Sequence, residues 1–246
     1  MSKKTAITTE LIYGLHPILE LLKAKRRKLT ILYTTKPVPK GFKLLEPLLP
    51  RGLQIQYVDR VVLAKLAGTQ DHQSFVGYAT PFQFRSSMFE AAKSPYLLML
   101  DGVQDVRNLG AILRTAACVG VDGVMLTARQ SAPITAAALK ASAGLAEHLA
   151  IYCVPSPAAG IIQLKKAGYQ LYVAVVNGGV PAHTTTYKRP CCIVIGSEGT
   201  GVSADMLQAG TLISLPQKVP TISYNASVAA GILLFITAYI APDHVL

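Results

Sequence analysis

Hydrophobic and polar positions follow two alternating periods along this chain. In "HPILELLKAKRR" the apolar residues Ile18, Leu19, Leu21 and Leu22 fall on one helical face. "LTILYTT" follows as a strand, and "FKLLEPLL" as a short helical turn broken by Pro47. "LQIQYVD" alternates cleanly, which predicts a strand with one buried face. "VVLAKLA" predicts a short helix and "SFVGYATP" a closing strand. Together these predict a small α/β unit over residues 1–80.

A polar stretch with Ser and Pro, "FQFRSSMFEAAKSP", predicts a linker at 81–95. The pattern then restarts as a second domain over 96–246. Strands are predicted at "YLLMLDG", "DGVMLTA", "IYCV", "YQLYVAVV", "CCIVIG" and "LISLP". Helices are predicted at "NLGAILRTAACVG", "PITAAALKASAGLAEHL", "AAGIIQLKKAG" and "SADMLQAG". Strands that are continuous apolar runs, alternating with helices, predict a mostly parallel sheet covered on both faces. The last segment, "SYNASVAAGILLFITAYIA", opens with three polar residues and then turns apolar. Its apolar part, 226–241, is shorter than the about 20 residues needed to span a bilayer, so a buried helix is expected rather than an anchor.

Charge changes the picture of the first part. Residues 1–95 hold 15 Lys/Arg against 6 Asp/Glu, and residues 96–246 hold 9 against 7. A basic excess confined to one half, with "KAKRRK" at 23–28 as its densest run, points to a polyanionic partner such as nucleic acid. The alternative is a solubilising charged face. "MSKKTAITTE" has lysines but no apolar stretch behind them, so no signal peptide is expected, and the location is read as cytoplasmic. Cys118, Cys153, Cys191 and Cys192 lack C-x-x-C spacing and read as thiols in a reducing compartment, with no metal site expected.

In an open parallel sheet, ligands bind beyond the carboxyl ends of the strands. Three such places carry chemistry. In "DGVQDVRNLGAILRTA", Asn108 is expected to cap a helix, and Arg114, six residues on, has a fork suited to phosphate. The plainer reading leaves Asn108 as a cap and Arg114 as a solvated side chain. In "IVIGSEGTGVS", Gly196, Gly199 and Gly201 let backbone N–H groups approach a ligand. The order is neither that of a P-loop nor of a dinucleotide fingerprint, and Glu198 within it would repel phosphate. In "LISLPQKVPTISYNAS", a strand ending at Pro216 leads to Ser223, Tyr224 and Asn225.

Together these stretches resemble the three motifs of the SpoU (TrmH) branch of the SPOUT RNA methyltransferases. Asn108, Gly110 and Arg114 match the first; Gly196, Glu198, Gly199 and Gly201 the second; Pro216, Ser223, Asn225 and Ser227 the third. "LIYGLHPILELL" and "DHQSFVGYA" are similar to the opening and closing patterns of that family's L30e-like substrate-binding domain. Three positions depart: Tyr224 stands for the usual Leu, Gln217 for a common Met, and Ser74 for a Gly.

The resemblance implies an α/β fold with an L30e-like substrate-binding domain and a SPOUT domain holding a mostly parallel sheet and a trefoil knot. It implies an enzyme that moves a methyl group from S-adenosyl-L-methionine to a ribose 2′-hydroxyl of RNA. A guanosine in 23S rRNA is the nearest branch and tRNA ribose the next, and a homodimer is implied. Arg114, Asn108, Glu198, Ser223 and Asn225 are the implied catalytic set. Gly196, Leu215, Tyr224, Val175 and Asn177 are the implied cofactor contacts. A protein that kept RNA or ribosome binding and lost methyl transfer is the rival reading.

Overall fold

The computed structural model describes residues 8–219 and 221–240. Residues 1–7 of the opening stretch read against a signal peptide, Pro220, and the last residue of the apolar run, Ala241, lie outside these. The described chain forms two compact units. One is the chain up to Gln83 with Ile134–His148, and the other is Phe84–Pro133 with the chain from Leu149 onward.

The first unit holds β1 (Glu10–Tyr13), α1 (Leu15–Ala24), β2 (Leu29–Thr34), α2 (Phe42–Leu45), β3 (Gln54–Tyr57), α3 (Arg60–Ala67) and β4 (Phe75–Ala79). Its sheet runs β1-β4-β2-β3, with β4 antiparallel to both neighbours and β2 parallel to β3. α1 buries Ile18, Leu19, Leu21 and Leu22, the face its periodicity predicts. β1 was not anticipated, because four residues ahead of a strong helical pattern carry too little periodicity of their own. Its partner β4 is what makes it a strand.

The basic run at 23–28 is exposed at Lys23, Lys25, Arg26 and Lys28, but its fifth cation is not. Arg27 has a fully buried side chain held between Glu10, at 3.2 Å, and Glu147, at 3.6 Å. Arg26 donates to the carbonyl of His148 at 3.0 Å. These contacts fasten Ile134–His148 into the first unit. That segment was expected as one helix over 133–149, but it is α5 (Ala136–Ala141) and then a 3-10 turn at Leu145–His148. Ala143 and Gly144 break it, with φ of 52° and 82°. At Gly144 a Cβ would stand 2.8 Å from the backbone at His16 and Pro17, so the break is where the segment lies against α1.

In the second unit β5 (Tyr96–Asp101), α4 (Val106–Cys118), β6 (Gly123–Thr127), β7 (Ile151–Val154), α6 (Pro157–Lys166) and β8 (Gln170–Val175) come first. They are followed by β9 (Val180–Pro181), β10 (Cys191–Gly196), α7 (Ala204–Leu207), β11 (Thr211–Ser214) and α8 (Ala226–Phe235). The seven strands are all parallel in the order β7-β6-β5-β10-β8-β11-β9. Central β5 and β6 are buried along their whole length, as their unbroken apolar runs require. Phe89, from the stretch expected to be a polar linker, is buried in this unit's core under the Arg85 guanidinium.

Register fixes the site. Asp101 at the end of β5 pairs with Gly196 at the end of β10, and Val175 of β8 with Ser214 of β11. The loops after these four strands therefore open on one edge of the sheet. α8 packs on α4, with Gly231 facing Thr115, and continues as a π-helical turn over Ile236–Ile240. No helix among the described residues is long and apolar enough to cross a membrane.

Candidate active site

The loop after β5 feeds α4. Its N-cap is Asp105, whose Oδ1 accepts from the N–H groups of Arg107, at 2.6 Å, and Asn108, at 3.1 Å. Asn108, expected as the cap, lies in the first turn instead. Two Asx residues precede the apolar face, and the earlier one captures the free N–H groups. That leaves the Asn108 amide available for longer-range bonds.

It uses both ends. Asn108 Nδ2 donates to Glu198 Oε1 at 2.8 Å, and Asn108 Oδ1 accepts from Asn225 Nδ2 at 3.1 Å. Asn225 caps α8: its Oδ1 accepts from the N–H groups of Ser227 and Val228 and from the Ser227 hydroxyl. Glu198 also accepts from the backbone N–H groups of Gln104 and Asp105. Three loops far apart in sequence are thus joined through side-chain amides and one carboxylate. Burial works against the Glu198 charge, but the bond from Asn108 and those from backbone N–H groups outweigh it and hold the carboxyl below its ordinary value.

The loop carrying Glu198 is shaped by Gly196. A Cβ there would lie 2.2 Å from the backbone at Gly201 and Val202, so no other residue permits the approach. Ser197 and Gly201 close the loop by exchanging backbone hydrogen bonds. Asp101 braces it from β5, accepting from the N–H of Ser203 at 2.8 Å.

Beside this network lies a cavity of about 510 Å³ within the second unit. Apolar residues such as Ala174, Ile195, Leu215 and Leu233 form much of its wall. Gly196, Leu215, Tyr224 and Val175, expected to touch a cofactor, line it, and so do Ser223, Glu198 and Asn225. Asn177 does not line it; the lining from β8 ends with Val176. Arg114 stands exposed on α4, outside the cavity lining, and makes no hydrogen bond or ion pair among the described residues. The backbone donors of Gln104 and Asp105 and the brace from Asp101 were not anticipated, since nothing in a one-dimensional pattern marks a backbone N–H as aimed across a sheet.

The profile of the SpoU rRNA Methylase family matches residues 95–235, and that of RNA 2′-O ribose methyltransferase substrate binding matches residues 11–85. A Bacillus subtilis protein named as a TrmH family tRNA/rRNA methyltransferase is 31% identical, over 91% of this chain and 93% of its own length. An uncharacterized tRNA/rRNA methyltransferase of Synechocystis is 30% identical over 95% of this chain, which spans 63% of that relative. The crystal structure of the SpoU methyltransferase AviRb from Streptomyces viridochromogenes, in complex with AdoMet, superposes with a TM-score of 0.80. It covers 96% of this chain and 92% of its own at 18% identity, a likeness of fold. The chain belongs to the SpoU rRNA methylase family of RNA methyltransferases.

Proposed function

We propose that this protein methylates a ribose 2′-hydroxyl in RNA from S-adenosyl-L-methionine, with a guanosine of 23S rRNA as the substrate and tRNA ribose as the second candidate. The observation that carries the reading is the Asn225–Asn108–Glu198 chain of hydrogen bonds at the lip of the cavity. It joins the three motifs into one site, which a binding module without chemistry would not need.

The cavity fits the cofactor. Its volume of about 510 Å³ is within the range of small-molecule sites, its walls are largely apolar, and a polar rim surrounds them. When bound, S-adenosylmethionine supplies an electrophilic methyl on a sulfonium sulfur. Gly196, Leu215, Tyr224 and Val175 would hold it, with Asn177 just beyond the wall. The chain's own task is to orient a weak nucleophile. Arg114, exposed and with no side-chain partner among the described residues, takes the RNA phosphate and aligns the adjacent ribose. Asn108, Glu198 and Asn225 fix the site's loops against α4, and Ser223 faces the cavity where ribose and cofactor meet.

The same reading carries a trefoil knot in the second unit and a cytoplasmic homodimer. α8 exposes Val228, Ile232 and Phe235, and the π-helical turn after it Tyr239, an apolar face of the kind a second copy covers. The first unit, with its basic surplus, contributes to holding RNA.

The test is to map 2′-O-methylation over all RNA in cells lacking the protein. Loss of one 23S rRNA ribose methyl supports the reading, and loss from tRNA moves it to the second substrate. No change in any RNA overturns it.

A further inference from the structure

The turn between β5 and α4 supplies the two backbone N–H groups, of Gln104 and Asp105, that Glu198 accepts. Val103–Asp105 lie in no helix or strand, so these donors are only as fixed as the contacts that hold the turn. The turn opens at Gly102, whose φ of 78° leaves its backbone free to move unless something fastens it. The ladder between β5 and β6 ends at Leu100 and Leu126, short of that glycine. A side chain carries the pairing further. Thr127, the next residue of β6, accepts from the N–H of Gly102 through Oγ1 at 3.1 Å. Thr127 is 2% exposed, so its hydroxyl is as immobile as the sheet beneath it. Left-handed Gln130, with a φ of 56°, turns the chain back, and Ser131 Oγ stands 2.8 Å from Thr127 Oγ1. The N–H of Ala132 then donates to the carbonyl of Val103 at 2.8 Å. A hydroxyl has one proton and two lone pairs, so Thr127 can hold Gly102 and share a bond with Ser131 at once.

We propose that Thr127 and Ser131 are positioning residues for methyl transfer: their hydroxyl pair holds the turn at Gly102 so that the N–H groups of Gln104 and Asp105 meet Glu198. This rests on the reading of the Asn225–Asn108–Glu198 chain as the active site. Neither residue touches the cavity or the three motifs; both act through the backbone of the turn. The turn is thus gripped from two sides, by β6 and the segment after it, and by the carboxylate of Glu198. The sheet end of that grip sets where the carboxylate end can settle. Without the hydroxyl of Thr127, Gly102 loses its fixed acceptor, and the two donors that follow it lose their common bearing on Glu198.

The test is single-turnover transfer of a labelled methyl group from S-adenosyl-L-methionine, by the full chain, to total RNA from cells lacking the protein. Affinity for S-adenosylhomocysteine and the melting temperature are measured beside it. Thr127→Val keeps the branched shape and removes the hydroxyl. The rate is expected to fall about tenfold, with S-adenosylhomocysteine affinity within about twofold. Thr127→Ser removes a buried methyl and keeps the hydroxyl. Its melting temperature is expected to fall while its rate stays within about twofold of the wild type. Ser131→Ala is expected to slow transfer about threefold, and to add nothing in the Thr127→Val background, since the two hydroxyls share one bond. In a Glu198→Gln chain, Thr127→Val is expected to cost less than about twofold, because the donors it fixes have lost their carboxylate. Equal rates for Thr127→Val and Thr127→Ser overturn the proposal, because the hydroxyl then carries no role. So does a full tenfold loss in the Glu198→Gln background, which would put Thr127 on a route that bypasses Glu198. A Glu198→Gln chain as fast as the wild type overturns the active-site reading itself, a distinct result.

Discussion

Asn225 and Asn108 lie 117 positions apart, yet the amide nitrogen of one donates to the amide oxygen of the other at 3.1 Å. Asn108 passes the connection on by donating to Glu198. Only a side chain that is donor and acceptor at once can fill this middle place. Asn108→Asp keeps the size but turns the donor into a second carboxylate against Glu198. Turnover is expected to fall about 100-fold with the fold intact, measured by single-turnover methyl transfer and circular dichroism.

The lowered pKa of Glu198 sets a pH window. A carboxyl whose folded value lies below its unfolded one contributes its stabilisation fully above the unfolded value, and loses it as pH falls through the folded value. The ordinary value here is 4.5, so the network is expected to stay intact from neutral pH down to that region and to open only below it. Cofactor affinity measured against pH is expected to show an acid limb below that value. Glu198→Gln is expected to flatten the limb; an unaltered limb would remove Glu198 from its origin.

Arg114 is exposed and its side chain has no partner among the described residues, so replacing it costs the fold little. Arg114→Ala is expected to lower turnover by about 10²–10³-fold while S-adenosylhomocysteine affinity stays within about twofold. Arg114→Lys is expected to recover part of the rate, because it restores charge without the fork.

Ser74 sits at a φ of 64°, a left-handed backbone conformation that favours glycine. A left-handed non-glycine residue costs about 1 kcal/mol or more, partly offset by the greater freedom glycine adds to the unfolded chain. The backbone bonds of this residue, N–H to His72 Nδ1 and carbonyl from Thr34 Oγ1, survive the change. Ser74→Gly is therefore expected to stabilise the protein by about 0.5–1 kcal/mol, seen as a rise of about 1–4 °C in Tm.

Arg27 and Glu147 form a buried pair with side chains 0% and 1% exposed. Burial pushes the Glu147 carboxyl up and Arg27 pulls it back. Arg27→Ala leaves that carboxylate uncompensated and is expected to destabilise by about 3–5 kcal/mol at neutral pH. A carboxyl with a raised folded value favours the protonated native state, so the deficit is expected to shrink as pH falls and Glu147 takes up a proton. Urea unfolding at two pH values checks both the size and the direction.

Much of the second unit could be read from its sequence because its strands are buried on both faces and so are apolar without interruption. The three motifs could be read because the residues that meet at the site keep fixed local spacings. Other features depend on partners that no local pattern contains. β1 exists because β4 lies beside it, and Asn108 is free of capping because Asp105 reaches the N–H groups first. Arg27, in the middle of the most basic run, looks like part of an RNA surface until Glu10 and Glu147 are seen around it.

The first unit is discontinuous, since Ile134–His148 completes it. As the chain leaves the ribosome, its first 133 residues emerge with Arg27 still lacking Glu147, its buried counter-charge. The unit can close only after Ile134–His148 has been synthesised as well. A fragment cut after Gln83 would stop for good at the same incomplete stage, with the place of Ile134–His148 left open to water. The stretch that looks most like a free-standing module is therefore the one whose maturation waits on a segment made much later.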